Sequence, residues 1–117
     1  MTTMFHITTA GEAAAAQASG YYTPSAFAAE GFIHCSYLHQ VRDVANRRFS
    51  GRTDLVLLEI DRACVSDAIV DENLEGGGEL FPHLYGRLAM EAVVRVHAFP
   101  CGADGRFELP AALGRAS

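Results

Sequence analysis

The run Leu55-Val56-Leu57-Leu58-Glu59-Ile60 is apolar at every position but one and has the length of a strand. A half-buried strand alternates apolar with polar residues. This one does not, so it reads as a strand covered on both faces. At 117 residues the chain is a single domain, 1–117, long enough to enclose such a strand without disulfides or a structural metal. Half of its residues are apolar and a fifth are charged, the balance of a globular protein.

Upstream, Met4 to Thr8 alternates, with Phe5 and Ile7 toward the core and Met4, His6 and Thr8 on a wet or functional face. Thr9-Ala10-Gly11-Glu12 has capping-box spacing and predicts a short helix over residues 12–19, closed by Gly20. Residues 25–30 read as a further turn of helix and residues 32–35 as a short strand. Ser36 is placed to cap a second helix, in which Leu38, Val41, Val44, Ala45 and Phe49 share one side, with Gly51 as its stop. Downstream, Ile69-Val70 suggests a short strand, 72–80 a mobile loop with three glycines, and 81–85 an extended segment around Pro82. Residues 87–91 form a turn or short helix, and 92–99 an alternating strand with Val94 and Val96 on one face. Residues 106–109 form a last strand before a fraying tail. The expectation is an α+β fold with two short helices near the N-terminus and a split, mostly antiparallel sheet.

Composition removes several function classes. The formal charge of −5 argues against broad nucleic-acid binding, which needs a basic face for phosphates. Every basic residue is arginine, so lysine Schiff-base chemistry and the P-loop lysine are excluded. No apolar run approaches the ~20 residues of a membrane span, and the N-terminus lacks the pattern of a secretory signal. A cytoplasmic monomer without a membrane partner is expected. Cys35, Cys64 and Cys101 share no CxxC spacing, which speaks against a disulfide framework and a cysteine-rich zinc site. Cys35 reads as core.

Three separated segments each place a histidine two residues before a hydroxyl: His6 and Thr8, His34 and Ser36, His83 and Tyr85. On a strand such pairs share a face. Imidazole beside hydroxyl suits a ribose diol, general acid–base work or metal binding. The first two pairs sit where a strand runs into a helix, a place that favours anions. The three histidines are therefore expected to converge on one pocket. Glu30, Glu72, Glu75 and Glu79 are the candidate carboxylates, with Glu79 expected to enter the pocket from the loop. Tyr85 is a candidate for stacking on a planar ring, and Asn46 and Arg47 for bonding across from the second helix.

Phe5-His6-Ile7-Thr8, Glu30-Gly31-Phe32-Ile33-His34-Cys35-Ser36, Val44-Ala45-Asn46-Arg47, Leu55 to Asp61 and Phe81-Pro82-His83-Leu84-Tyr85-Gly86 together resemble the family known as domain of unknown function 952. The resemblance runs in order from Met4 to about Pro110. That family is grouped with the ADP-ribosyltransferase-like fold, two small antiparallel sheets around a cleft that holds NAD. The resemblance implies His6 on a ribose and Ser36 or Tyr85 against the nicotinamide ring. No glutamate of this chain stands in the setting where ADP-ribosyltransferases place their catalytic one. Where relatives carry a tryptophan before an acidic residue this chain has Val70-Asp71-Glu72, so Glu72 and Glu79 both stand as candidates.

The first expectation is thus an enzyme that binds NAD or a related nucleotide and transfers or hydrolyses an ADP-ribosyl group. His34, His83 and Glu79 would be catalytic, and His6, Thr8, Ser36, Tyr85, Asn46 and Arg47 would bind the nucleotide, with no metal. A non-catalytic nucleotide or metabolite sensor on the same fold is the second. A hydrolase holding zinc on His6, His34 and His83 is the third.

Overall fold

The computed structural model describes residues 3–74 and 76–113, so Met1, Thr2, Glu75 and the last four residues lie outside the described chain. The apolar run forms β4 (Leu55–Asp61), the middle of a three-stranded antiparallel sheet between β1 (Thr3–Thr9) and β8 (Val93–Ala98). Its two faces feed two cores, as its composition requires. Leu58 and Ile60 pack with Met4, Ile33, Cys35, Leu84 and Leu88 on one side. Leu55 and Leu57 pack with Phe5, Val41, Ala45, Phe99 and Phe107 on the other.

β1 is covered on both faces too, which corrects the expected wet face. Met4, His6 and Thr8 are as buried as Phe5. β1 contacts α1 (Ala10–Ser19) and α3 (Leu38–Arg48) as well as β4. The Thr9 hydroxyl caps α1 by accepting from the Glu12 amide at 3.1 Å, and Gly20 closes it at a φ of 90°. The Glu12 side chain does not complete the box. It accepts instead from the Thr8 hydroxyl at 2.7 Å.

A two-residue strand β2 (Tyr21–Tyr22) pairs with β7 (Leu88–Ala89), which takes the first part of the segment expected as a turn or short helix, and a short 3-10 helix, Met90–Ala92, takes the rest. After the short α2 (Phe27–Glu30) and Gly31, β3 (Ile33–His34) begins a second three-stranded sheet, ordered β3, β6 (Phe81–Tyr85), β5 (Ala68–Glu72). His34 lies directly opposite His83 in this sheet, and Ile33 opposite Leu84. Because side chains alternate, Ile33, Cys35 and Leu84 enter the core while His34 and His83 face the other way. Pro82 sits in the middle strand, where its carbonyl still accepts from the Cys35 amide at 3.0 Å.

Ser36 does not cap α3. Its backbone pairs with Phe5 of β1 in both directions at 2.8 Å, tying the two sheets together. The cap falls to Tyr37, whose amide donates to the Gln40 side chain at 2.9 Å. With α2 counted, three α-helices replace the two expected among the described residues.

In β8 a bulge opposite Glu59/Ile60 leaves Val94 without a partner residue. The bulge separates Val94 from Val96: Val94 is 57% exposed, whereas Val93 and Val96 pack on the core. Residues 106–109 are no strand. Phe107 is instead fully buried, its backbone held by the Asn46 side chain, which donates to the Phe107 carbonyl at 3.2 Å and accepts from its amide at 2.7 Å. The tail is held as far as Leu113, which is buried in the second core. Asn46→Ala removes both partners of this backbone and is expected to cost about 1–3 kcal/mol, read as a lower urea midpoint at unchanged slope.

Candidate functional site

A cavity of about 170 Å³ opens between β1 and the pocket face of the second sheet, with α3 on its flank. His6, His34, His83, Ser36, Glu30, Glu72, Arg47 and Arg48 contribute to its wall, among apolar residues that include Phe5, Phe32 and Phe81. The three histidines thus share one cavity, but they do different things.

His6 is spent on the protein. Its Nδ1–H donates to the His34 carbonyl at 2.5 Å, and its Nε2 lies 2.8 Å from the Tyr22 hydroxyl. Tyr22 is also 2.9 Å from the Thr8 hydroxyl, so its single proton has two acceptors in reach. With both nitrogens engaged, His6 offers nothing to a ribose, contrary to the role the resemblance implied. It fixes the distance between β1 and β3. Burial pushes its pKa down to about 4, outweighing the His34 carbonyl, which favours the charged ring.

That depression has a definite sign. The neutral ring is the folded form, so its stabilisation is complete above the unfolded value of roughly 6.5 and is lost as pH falls from there to about 4. The loss is about 3 kcal/mol. Urea titrations at pH 7, 5.5 and 4 are expected to show it, and His6→Gln is expected to flatten this part of the profile. Equal slopes for both proteins would contradict the assignment.

His83 is only 3% exposed and donates through Nδ1 to Glu72 Oε1 at 2.9 Å. In the tautomer that donates this bond, the lone pair lies on Nε2. His34 lies 3.3 Å from Glu30 through Nε2, leaving Nδ1 open. The two rings meet edge to face with centroids 5.0 Å apart, and Phe32 stacks on His83 at 4.3 Å. His83 Nε2, His34 Nδ1 and the Ser36 hydroxyl make no hydrogen bond to described residues, yet no buried side-chain nitrogen or oxygen among them lacks a partner. These three atoms are therefore not sealed in, and they open on the cavity their residues line.

Glu72 is the carboxylate of the site. The Tyr85 hydroxyl and His83 both donate to its Oε1, and these bonds hold its pKa below the ordinary glutamate value. Oε2 carries no hydrogen bond from described residues. Glu79 lies elsewhere: it accepts from Gln40 at 3.2 Å, approaches His39, and lines a second, adjoining cavity. The loop end is tethered by Gln40, which also donates to the Leu80 carbonyl at 2.9 Å. This tether keeps Glu79 out of the first cavity.

Of the other candidates, Ser36 and Arg47 reach the first cavity. Thr8 does not, being bonded to Glu12 and Tyr22; Asn46 is committed to Phe107; and Tyr85 packs on Phe32 at 5.3 Å and steadies Glu72 rather than lining the wall. Phe32, Arg48 and Leu74 also line the cavity, Phe32 inside the His34 motif but carrying no polar group, Arg48 and Leu74 with no motif to mark them. Cys35 is buried in the core and its thiol pKa is pushed up to about 12, so it is no nucleophile. The zinc reading does not fit either. His6 has no free nitrogen, and no group of three histidine, cysteine, aspartate or glutamate side chains among the described residues is arranged to hold a metal. Among the described residues no helix is long and apolar enough to cross a membrane.

The sequence profile described as "Protein of unknown function (DUF952)" matches residues 7–96. The chain belongs to this DUF952 family. Protein CC0527 from Caulobacter crescentus is similar to it throughout. The crystal structure of CC0527 is 33% identical, with a TM-score of 0.83 over 92% of this chain and 95% of that one. A crystal structure of a double mutant of CC0527 gives 0.82 at the same identity and coverage. The solution structure gives 0.81 at 32% identity, over 100% of this chain and 97% of that one. No curated protein matches the chain.

Proposed function

We propose that this DUF952 protein binds NAD or a related ADP-ribosyl compound in the cleft between its two three-stranded sheets, and transfers or hydrolyses the ADP-ribosyl group. The finer fold assignment, ADP-ribosyltransferase-like, belongs to the same proposal. The observation that carries it is the convergence of His34, Ser36, His83 and Glu72 on one cavity, with Glu72 ionised and one oxygen uncommitted.

Cleaving an N-glycosidic bond sends the bonding electron pair to the nicotinamide nitrogen and leaves positive charge on the ribose. A fixed carboxylate beside that carbon stabilises the charge, and a lone pair that receives the proton of the incoming water or acceptor hydroxyl completes the transfer. Glu72 has the first role and His83 Nε2 the second, its ring aligned by the Glu72 bond. Ser36 and His34 Nδ1 remain to orient the carboxamide or the ribose hydroxyls.

The test is a titration with NAD and ADP-ribose followed by amide and imidazole shifts, alongside release of nicotinamide over long incubation. Shifts at His34, Ser36 and His83 with product formation are expected. Saturable binding without product would make the protein a nucleotide-binding module. No shift at any of the three would remove the proposal.

A further inference from the structure

The second cavity, about 290 Å³, is lined by Arg47, Asn73, Gly77, Gly78, Glu79 and Phe81. Arg47 and Phe81 also line the first, so the two spaces adjoin at these side chains. Each alone falls short of the roughly 300–1,000 Å³ of small-molecule sites, while the two volumes taken together fall within that range.

Arg47 stands at the junction and makes no ion pair or hydrogen bond with described residues, whereas Arg42, Arg52 and Arg62 each pair with a carboxylate. The loop beside it is anchored at its far end by Gln40 and closed on itself by the Asn73 side chain, which donates to the Gly77 carbonyl. Gly76 needs glycine for its φ of 81°, but Gly77 and Gly78 do not. No atom lies within 4 Å of where a Cβ would stand on either. Neither conformation nor internal packing asks for glycine there, and what bare backbone offers is close approach to something from outside the chain. Glu79 closes the same cavity with negative charge.

A cation at the junction followed by a carboxylate beyond it describes a ligand with an anionic middle and an uncharged, hydroxyl-rich end. We infer that Arg47 holds the pyrophosphate of a dinucleotide, and that the second cavity takes its far ribose, with Glu79 accepting from the hydroxyls and repelling a 2′-phosphate. The inference rests on the nucleotide reading above and names its substrate class: NAD rather than NADP, and dinucleotide rather than nucleoside.

Binding of nicotinamide riboside, NAD, NADP and inorganic pyrophosphate is to be compared in the unaltered protein, Arg47→Gln and Glu79→Gln, with the Gly77 and Gly78 amides followed by NMR. NAD is expected to bind about 10–100-fold more tightly than the riboside, with Arg47→Gln removing most of that difference. NADP is expected to bind about 5–10-fold more weakly than NAD, and Glu79→Gln to narrow the gap. An unchanged ratio of NAD to riboside in Arg47→Gln, or NADP binding as tightly as NAD, would overturn the inference. Should NAD shift His34 and His83 but leave Gly77 and Gly78 still, the subsite fails and the nucleotide reading stands. If pyrophosphate moves Gly77 and Gly78, with loss of that shift in Arg47→Gln, while NAD shifts none of His34, Ser36 and His83, the anion subsite stands and the nucleotide reading falls.

Discussion

Replacing Glu72 by glutamine is expected to lower the rate of nicotinamide release about 10²–10⁴-fold while leaving NAD affinity within a few-fold. The reasoning follows the hydrogen bonds. Glutamine keeps the size of the side chain and one acceptor oxygen for His83 and Tyr85, so the sheet edge and the His83 ring keep their positions. What disappears is a fixed negative charge beside the cavity, which matters only when the ribose becomes cationic. A loss confined to kcat is therefore the signature, and an equal loss in binding would mean that Glu72 only shapes the pocket. Tyr85→Phe makes a useful partner. It removes one of the two donors that favour the ionised carboxylate, so the acidic limb of the pH–rate profile is expected to move toward higher pH. Activity unaffected by both changes would take Glu72 out of the mechanism.

Leu58→Ala is expected to destabilise the fold by about 2–5 kcal/mol, a large part of the roughly 5–15 kcal/mol that holds a domain together. Leu58 is fully buried on the middle strand of its sheet, pressed into the core that also holds Ile33, Leu84 and Leu88. That core backs the sheet carrying His34 and His83, so the cavity left by truncation lies beneath the site rather than at the rim. Val94→Ala makes the contrast, since this residue sits on the bulge facing solvent and its loss is expected within about 0.5 kcal/mol. Urea unfolding of the two variants decides the matter. Similar midpoints would show that β4 tolerates a void, against the burial of both its faces.

Much of this was legible along the chain because it depends on local order. The unalternating run at Leu55–Asp61 announced a strand covered twice, and β4 feeds both cores. The same local logic failed at β1. Alternation alone points Met4, His6 and Thr8 outward, and nothing in their immediate neighbours says that α1 packs there and that Tyr22 waits for His6. β8 failed for a smaller reason, one bulged residue that turns Val94 away. Pro82, which propensity keeps out of a middle strand, lies in one where its neighbour is Cys35, a residue past the end of β3 that donates to its carbonyl.

The histidine-and-hydroxyl spacing placed three imidazoles on strand faces, since a period of two needs no partner to be true. Which nitrogens remain free is a matter of contacts between residues far apart in the chain. His6 loses both of its nitrogens to His34 and Tyr22, while His83 keeps one because Glu72 takes only the other. The choice between Glu72 and Glu79 was likewise beyond any spacing rule: a strand register puts Glu72 opposite Phe81 and diagonal to His83, and a single glutamine on α3 draws Glu79 into the neighbouring cavity. Residue order thus decided strands, faces and chemical repertoire. Only the folded chain could decide which lone pairs stay open, because each depends on a partner brought from another element.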